Sequence, residues 1–415
     1  MISVAEARAR ITSALIPVST EIVSVAQAAG RVLAEDVHAA MTQPPAAVSA
    51  MDGYAVRAAD LEALPASLTV VGAAPAGAAF DGTLGSGQAV RIFTGGPVPE
   101  GANTIVIQED VTTQGACIVV SAAVPAGTYV RPSGLDFGAG DLGIVAGTRL
   151  GAREIGLAAA MNRPWLHVRR RPRVALLATG DEIVRPGEPV GRNQIVSSNT
   201  LALAALLSAN GAEPIDLGIA LDNRDSLLAM AAGAAGTDLL ITMGGASVGD
   251  HDLVQSVLGE RGLEIDFWRI AMRPGKPLMF GTLGAVPMLG LPGNPVSSLV
   301  CGLIFVLPAL QALLGLPAAG PRTEPARLGR DLAANDRRED YLRATLSDSL
   351  AMADSPAMAN VEGHAVATPF ETQDSSMLSL LARAGCLVIR PPQAPAARAG
   401  DPIDMIRLAP GLMGY

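Results

Sequence analysis

Between residues 173 and about 315 the sequence alternates short, unbroken apolar runs with amphipathic stretches, and no other feature restricts the fold as tightly. "RVALLATG" (173–180) and "DLLITMGG" (238–245) lack a polar face, so a strand made from either must be covered on both sides. Parallel sheets sandwiched by helices provide that cover. "SNTLALAALLSANG" follows the first run at helical spacing, with Ser198 or Asn199 as its cap and Gly211 just past its end. "EPIDLGIA", the helical "RDSLLAMAAG" and "DLVQSVLGE", and the strand runs "IDFWRIAMRPG", "PLMFGTL" and "VPMLGLPG" continue the pattern. The expectation is a central, open, doubly wound α/β domain over residues 173–320.

The flanks have a different texture. Residues 1–45 read as helical, with "SVAEARARITSALI" opened by a Ser3/Glu6 capping box and "QAAGRVLAEDV" as a second helix. "GAREIGLAAAMN" returns to helix, so residues 1–45 and 146–172 are grouped as an elongated helical and linker domain. Over 46–145, "SLTVVG", "QAVRIF", "NTIVIQ", "CIVVSA" and "LGIVAG" are separated by Gly/Pro turns, which predicts a β-rich insert domain. After the linker "LGLPAAGPRTEP", the runs "DYLRATLSD", "AGCLVIRPP" and "DPIDMIRLA" predict a small C-terminal β-barrel domain over 321–415.

Composition removes several classes of function. With 30 Lys+Arg against 39 Asp+Glu the net charge is −9, a surface that repels nucleic acid, so an anionic small ligand needs a local site. Cys117, Cys301 and Cys386 are scattered and form no CxxC pair, which disfavours disulfide, zinc-ribbon and iron–sulfur frameworks and fits a reducing cytoplasm. The amino-terminal stretch has no apolar signal-peptide core. "VSSLVCGLIFVLPALQALLG" (296–315) has the length of a membrane span, but Pro308 and Gln311 interrupt it and no basic cluster flanks it. A buried or dimer-facing helix is the preferred reading, with no membrane partner.

Four unusual loops each follow a strand run: "TGDE" (179–182), "GGASVGDHD" (244–252), "RPGKP" (273–277) and "LPGNPVSS" (291–298). Each by itself reads equally as a cap or a tight turn. At the carboxyl ends of strands in one sheet they point together to a ligand site. Thr179, Gly180, Gly244, Gly245, Ser247, Pro292, Asn294, Pro295 and Ser297 are the small or turn-forming residues through which backbone N–H groups and a helix start approach an anion. Arg273 and Lys276 supply positive charge. Asp181, Glu182, Asp250 and Asp252 supply hard oxygens suited to Mg2+ held together with ligand phosphates. His251 is read as an exposed neighbour of the site. No GxGxxG follows the first strand, and GxxxxGK[ST], GxSxG and HExxH are absent, which argues against dinucleotide folds, P-loops and the common hydrolase templates.

"SAMDGYAV" (49–56), "TGGPVPEGANTIV" (94–106), "LLATGDEI" (176–183), "GGASVGDHD", "RPGKP" and "GLPGNPVSS" (290–298) occur in the order seen in molybdopterin molybdenumtransferases. Nearly the whole chain resembles this family, the bacterial MoeA type also found as the E domain of gephyrin and its plant counterpart. The resemblance implies insertion of molybdate into adenylylated molybdopterin, with AMP released and Mg2+ required, by a homodimer whose sites draw on both subunits. It implies Mg2+ and phosphate-binding roles for Glu182 and Asp252, and a further functional aspartate in Asp222. Arg273, Lys276 and Ser297 are similar to an oxyanion pocket helped by Arg343 and Ser375. Asp52, Thr94 and Asp136 of "PSGLDFGAG" resemble the partner subunit's contribution. Lys276 and the arginines would hold molybdate beside the dithiolene.

There are departures. Ala46 and Ala47 stand where Phe–Asp is usual, Arg273 where Lys is common, and Gly385 where Asn is frequent. A preference for tungstate is one implied alternative. The alternative functions are molybdopterin adenylyltransferase or another nucleotide-processing enzyme on the same α/β module, and a gephyrin-like dimeric scaffold. An adenylyltransferase and downstream molybdoenzymes or their chaperones are the implied protein partners.

Overall fold

The structure, a computed structural model, describes residues 1–244, 253–347 and 365–408. The chain forms two compact units, one holding residues 22–29 and 33–168 and the other residues 1–21, 30–32 and 169 onward.

In the first unit, each apolar run expected as a strand is one. β1 (Gly53–Val56), β2 (Ala66–Ala74), β3 (Gln88–Ile92), β4 (Thr104–Ile107), β5 (Val111–Gln114) and β6 (Cys117–Val120) make a six-stranded sheet in the order β4-β1-β3-β2-β6-β5. β2 and β3 pair in parallel and the remaining pairs are antiparallel. Side chains such as Leu68, Val90, Ile105 and Ile118 are buried against the sheet's two faces. The expected second helix, "QAAGRVLAEDV", is absent. Only a single 3-10 turn, Val25–Gln27, forms there, and Gly30 takes φ +76°. The following amides bond across the chain instead, Leu33 N–H to Thr148 O and Ala34 N–H to His167 O. Alanine-rich composition favours helix, but these long-range partners and the left-handed glycine override it.

The second unit begins with α1 (Val4–Ala14), whose Ser3 Oγ accepts the Glu6 N–H at 3.1 Å. The expected capping box is half-formed, because the Glu6 carboxylate turns to Arg10 at 2.7 Å. The sequence grouped this helix with 146–172; it packs here against Leu307–Leu313.

The α/β sheet comprises β7 (Arg173–Thr179), β8 (Glu213–Ala220), β9 (Leu239–Met243), β10 (Leu263–Trp268), β12 (Met279–Leu283) and β13 (Val286–Leu291), in the order β8-β7-β9-β13-β12-β10. β8, β7, β9 and β13 are mutually parallel, and β12 runs against both its neighbours. Its faces are covered by α3 (Asn199–Ala209) and α6 (Pro295–Cys301) on one side, and by α4 (Arg224–Ala231) and α5 (Leu253–Gly259) on the other. From α6 the chain runs through a π turn into Leu307–Leu313. This stretch, Pro295–Leu313, has the length and apolarity of a membrane span, yet 89% of it is buried in the protein interior. The buried-helix reading holds.

The C-terminal strands are β14 (Glu324–Leu328), β15 (Glu339–Ser347), β16 (Val366–Pro369), β17 (Cys386–Arg390) and β18 (Pro402–Arg407). They pair in the order β15-β16-β14-β18-β17, and β17 returns to β15, so the five close into the expected barrel. One strand comes from elsewhere in the chain. β11 (Met272–Arg273) pairs in parallel with β15, Arg273 beside Asp340. The loop "RPGKP" therefore leaves a strand of the barrel's sheet, where it was expected at a strand end of the α/β sheet. That pairing joins residues nearly seventy apart, so nothing local in the sequence marks it.

Candidate functional site

From β7 the chain crosses to β8 on one side, and from β8 it returns across β7 to β9 on the other. The strand order thus reverses between β7 and β9, where ligands bind in open α/β sheets. Three of the singled-out loops start at this edge and touch. A Cβ on Gly244 (φ +93°) would lie 2.6 Å from Thr179 O and 3.0 Å from Thr179 Oγ1, and Gly293 lies against the Gly244 backbone on the other side. The Gly244 N–H reaches Leu291 O at 3.3 Å. Only glycine fits between these backbones.

These loops line a cleft of about 700 Å³ that includes Thr179, Glu182, Gly244, Pro292, Asn294 and Pro295 of the expected set. Gly180 lies beside it with φ +139°, and the Glu182 carboxyl folds over its open face. Thr179 Oγ1 is buried and has no hydrogen-bond partner among the described residues. Asn199 Nδ2 donates to Gly293 O at 2.7 Å, so α3 ties the third loop down. The C-terminal barrel unit reaches into this site: Ser375 Oγ accepts from Asn294 Nδ2 at 2.8 Å, Ser375 O accepts the Val296 N–H at 3.1 Å, and Ser376 and Leu378 line the cleft. Asp222 stands exposed one loop away, with its N–H bonded to Asp181 Oδ1 at 3.0 Å.

Among the described residues the lining holds one charged side chain, Glu182. The expected cations are placed behind or beside it. Lys276 is half-buried next to the lining residue Pro277, and none of the ion pairs among the described residues involves it. Arg273 was expected in an oxyanion pocket, but it forks onto Asp340 on β15, with Nε at 2.9 Å and NH2 at 2.6 Å, and NH2 also meets Asn335 Oδ1 at 3.1 Å. It lines a separate cavity of about 430 Å³. Arg343, expected in the same pocket, is 1% exposed, because its position on β15 turns it inward. Ser297 is likewise buried in the first turn of α6.

In the first unit, Asp52 Oδ1 accepts both the Thr94 N–H at 2.7 Å and the Thr94 hydroxyl at 2.9 Å. Those bonds, the backbone one foremost, hold its carboxyl below the usual range. Asp136 is exposed, its N–H on Gln43 O. Gly245, Ser247 and Asp252, with Asp250 and His251, lie outside the described residues. No group of three His, Cys, Asp or Glu side chains able to hold a metal occurs among the described residues.

Residues 2–162 match the model of the MoeA N-terminal region (domain I and II), 175–312 that of a probable molybdopterin binding domain, and 325–408 that of the MoeA C-terminal region (domain IV). The chain belongs to the MoeA family. It is 41% identical over 336 residues to a molybdopterin molybdenumtransferase of Nostoc sp., covering 79% of this chain and 77% of that one. It is 32% identical over 431 residues to molybdopterin molybdenumtransferase 1 of Mycobacterium tuberculosis, covering 99% of each. A crystal structure of a molybdopterin biosynthesis MoeA protein from Pyrococcus horikosii superimposes with a TM-score of 0.83 at 30% identity, over 98% of this chain and 99% of that one.

For a MoeA chain, two features here were not read from the sequence. Gln373 and Asp340 hold the two arginines, and these contacts follow from the pairing of β15 with β16 and with β11, which leaves no local pattern. A signal for Lys276 was legible and missed: of the 30 Lys and Arg residues it is the one lysine. Where every other basic position carries arginine, a compact ammonium at this position marks a specific demand.

Proposed function

We propose that the chain is a molybdopterin molybdenumtransferase of molybdenum cofactor biosynthesis, which transfers molybdate into adenylylated molybdopterin with release of AMP, in the cytoplasm. Family membership supports the transferase reading. The observation that carries the site is the convergence of three strand-end loops on one cleft of about 700 Å³ at the strand-order reversal. The glycines at 244 and 293 let the backbone approach a phosphate, and the start of α6 turns its partial positive charge toward the same end of the sheet. Pro277 lines the cleft, and its neighbour Lys276 would supply the ammonium that holds the incoming oxyanion.

The donor set at the end of β7 fits Mg2+: the Glu182 carboxylate and the Thr179 hydroxyl, unpartnered among the described residues, are hard oxygens, and waters and ligand phosphates would complete the shell. Glu182 and Asp252 would hold it. When bound, Mg2+ would neutralise phosphate oxygens of the substrate. We also propose a homodimer, with Asp52, Thr94 and Asp136 completing the site from the second copy; the family resemblance supports this. The test is to incubate the protein with adenylylated molybdopterin, molybdate and Mg2+, then follow AMP and reconstitution of an apo-molybdoenzyme. Molybdate-dependent AMP release is expected, and its absence at excess molybdate would sink the assignment.

A further inference from the structure

The substrates of the reaction proposed above are anions, yet the cleft's described lining carries one charge and it is negative. Besides Lys276, cations behind the wall add to the attraction. Arg343 is such a cation. It is 1% exposed, and its NH1 donates at 3.2 Å to Met377 O, the carbonyl between the lining residues Ser376 and Leu378. Buried arginines are ordinarily paired with a carboxylate. Arg343 has none within ion-pair distance among the described residues.

Its partner is the amide of Gln373. Gln373 Oε1 accepts the Arg343 backbone N–H at 3.0 Å and Nε at 3.3 Å, while its Nε2 returns bonds to Arg343 O at 2.9 Å and Phe370 O at 3.0 Å. Three of these bonds go to Arg343 on β15 and one to Phe370 just past β16, so the Gln373 side chain is fixed at both ends. Among the described residues, the acid whose charge acts on Arg343 is Asp374, an exposed residue. Its Oδ1 is already bonded to the Ser376 N–H at 2.8 Å and hydroxyl at 2.7 Å. Arg273, paired on β11 beside Asp340 three residues before Arg343 on β15, shows the opposite arrangement: its fork onto Asp340 cancels its charge.

We propose that Gln373 is a positioning residue: it fixes the buried Arg343 guanidinium behind the cleft wall with a neutral amide, leaving its charge for the anionic substrate. A glutamate would offer similar geometry and abolish the charge; the amide supplies the geometry alone. The inference rests on the reading of the cleft as an oxyanion-transfer site.

The experiment compares Gln373→Glu with Gln373→Met, measuring molybdate binding by equilibrium dialysis alongside the urea unfolding midpoint. Gln373→Met loses the hydrogen bonds but keeps the charge, and should weaken molybdate by less than about threefold. Gln373→Glu should weaken it on the order of tenfold, with affinity recovering as pH falls and the new carboxyl is protonated. A purely structural role ranks the two the other way, with affinity following the unfolding midpoint, and that result overturns the proposal. If neither variant folds, Asp374→Asn decides: removal of the carboxylate that acts on Arg343 should tighten molybdate binding about two- to threefold, and unchanged or weaker binding overturns the proposal. Wild-type protein that binds no molybdate removes the underlying reading and this inference together. Molybdate-dependent AMP release with equal affinities in the two Gln373 variants removes this inference alone.

Discussion

The Arg273–Asp340 fork should respond asymmetrically to loss of its two members. The Asp340 side chain is 8% exposed and the Arg273 side chain 47% exposed, although two charge-assisted bonds at 2.6 and 2.9 Å join them. Arg273→Met strands a buried carboxylate, a class of change that costs roughly 3–5 kcal/mol. Because Asp340 lines a cavity that admits water, the lower end, about 3 kcal/mol, is expected. Asp340→Asn instead leaves a guanidinium half in water that still holds Asn335 Oδ1 at 3.1 Å, so about 1 kcal/mol is expected. The double variant contains no lone charge and should cost less than Arg273→Met alone, a negative coupling that a double-mutant cycle reads directly. Equilibrium urea unfolding of the four proteins is the assay. An Arg273→Met loss equal to or smaller than that of Asp340→Asn would refute the burial argument.

Three further outcomes are expected. Gly244→Ala combines a left-handed backbone with a Cβ 2.6 Å from Thr179 O, and should cost about 2–4 kcal/mol and most of the activity; normal stability would show that the strand ends part easily. Thr94→Val removes one of the two bonds on Asp52, so its carboxyl should titrate closer to the ordinary value by carbon-detected NMR, and an unmoved titration contradicts the assigned cause. Asp336 is held down to about 2 by its bonds to Arg338, with Arg273 adding to the effect. A depressed carboxylate stabilises the fold above its unfolded value near 4 and loses that contribution as pH falls toward about 2. Asp336→Asn should therefore flatten the acid limb of stability between about pH 4 and 2, and an unchanged limb would exclude this origin.

The α/β sheet was legible because apolar runs with no polar face admit few arrangements, and the β-rich insert because turn residues recur between short runs. "QAAGRVLAEDV" misled because helix propensity is local, while the partners of Leu33 and Ala34 lie over a hundred residues away. The strand at Met272–Arg273 was invisible for the same reason. Within the site, the motifs brought out residues that the fold gathers, and gave less about where each one points. Glu182, Thr179 and Asn294 do line the cleft, but Arg343 is buried behind its wall and Arg273 lines a separate cavity, because each is held by an amide or acid that no motif contains.

The single lysine also makes the molecule chemically addressable. Acylating reagents meet one side-chain amine in the whole chain, and it belongs to the chain neighbour of Pro277, which lines the cleft. A dye or affinity tag carried by an activated ester therefore reports from the cleft's neighbourhood with no other ε-amine as background, and protection of that amine by an added anion can be read residue by residue.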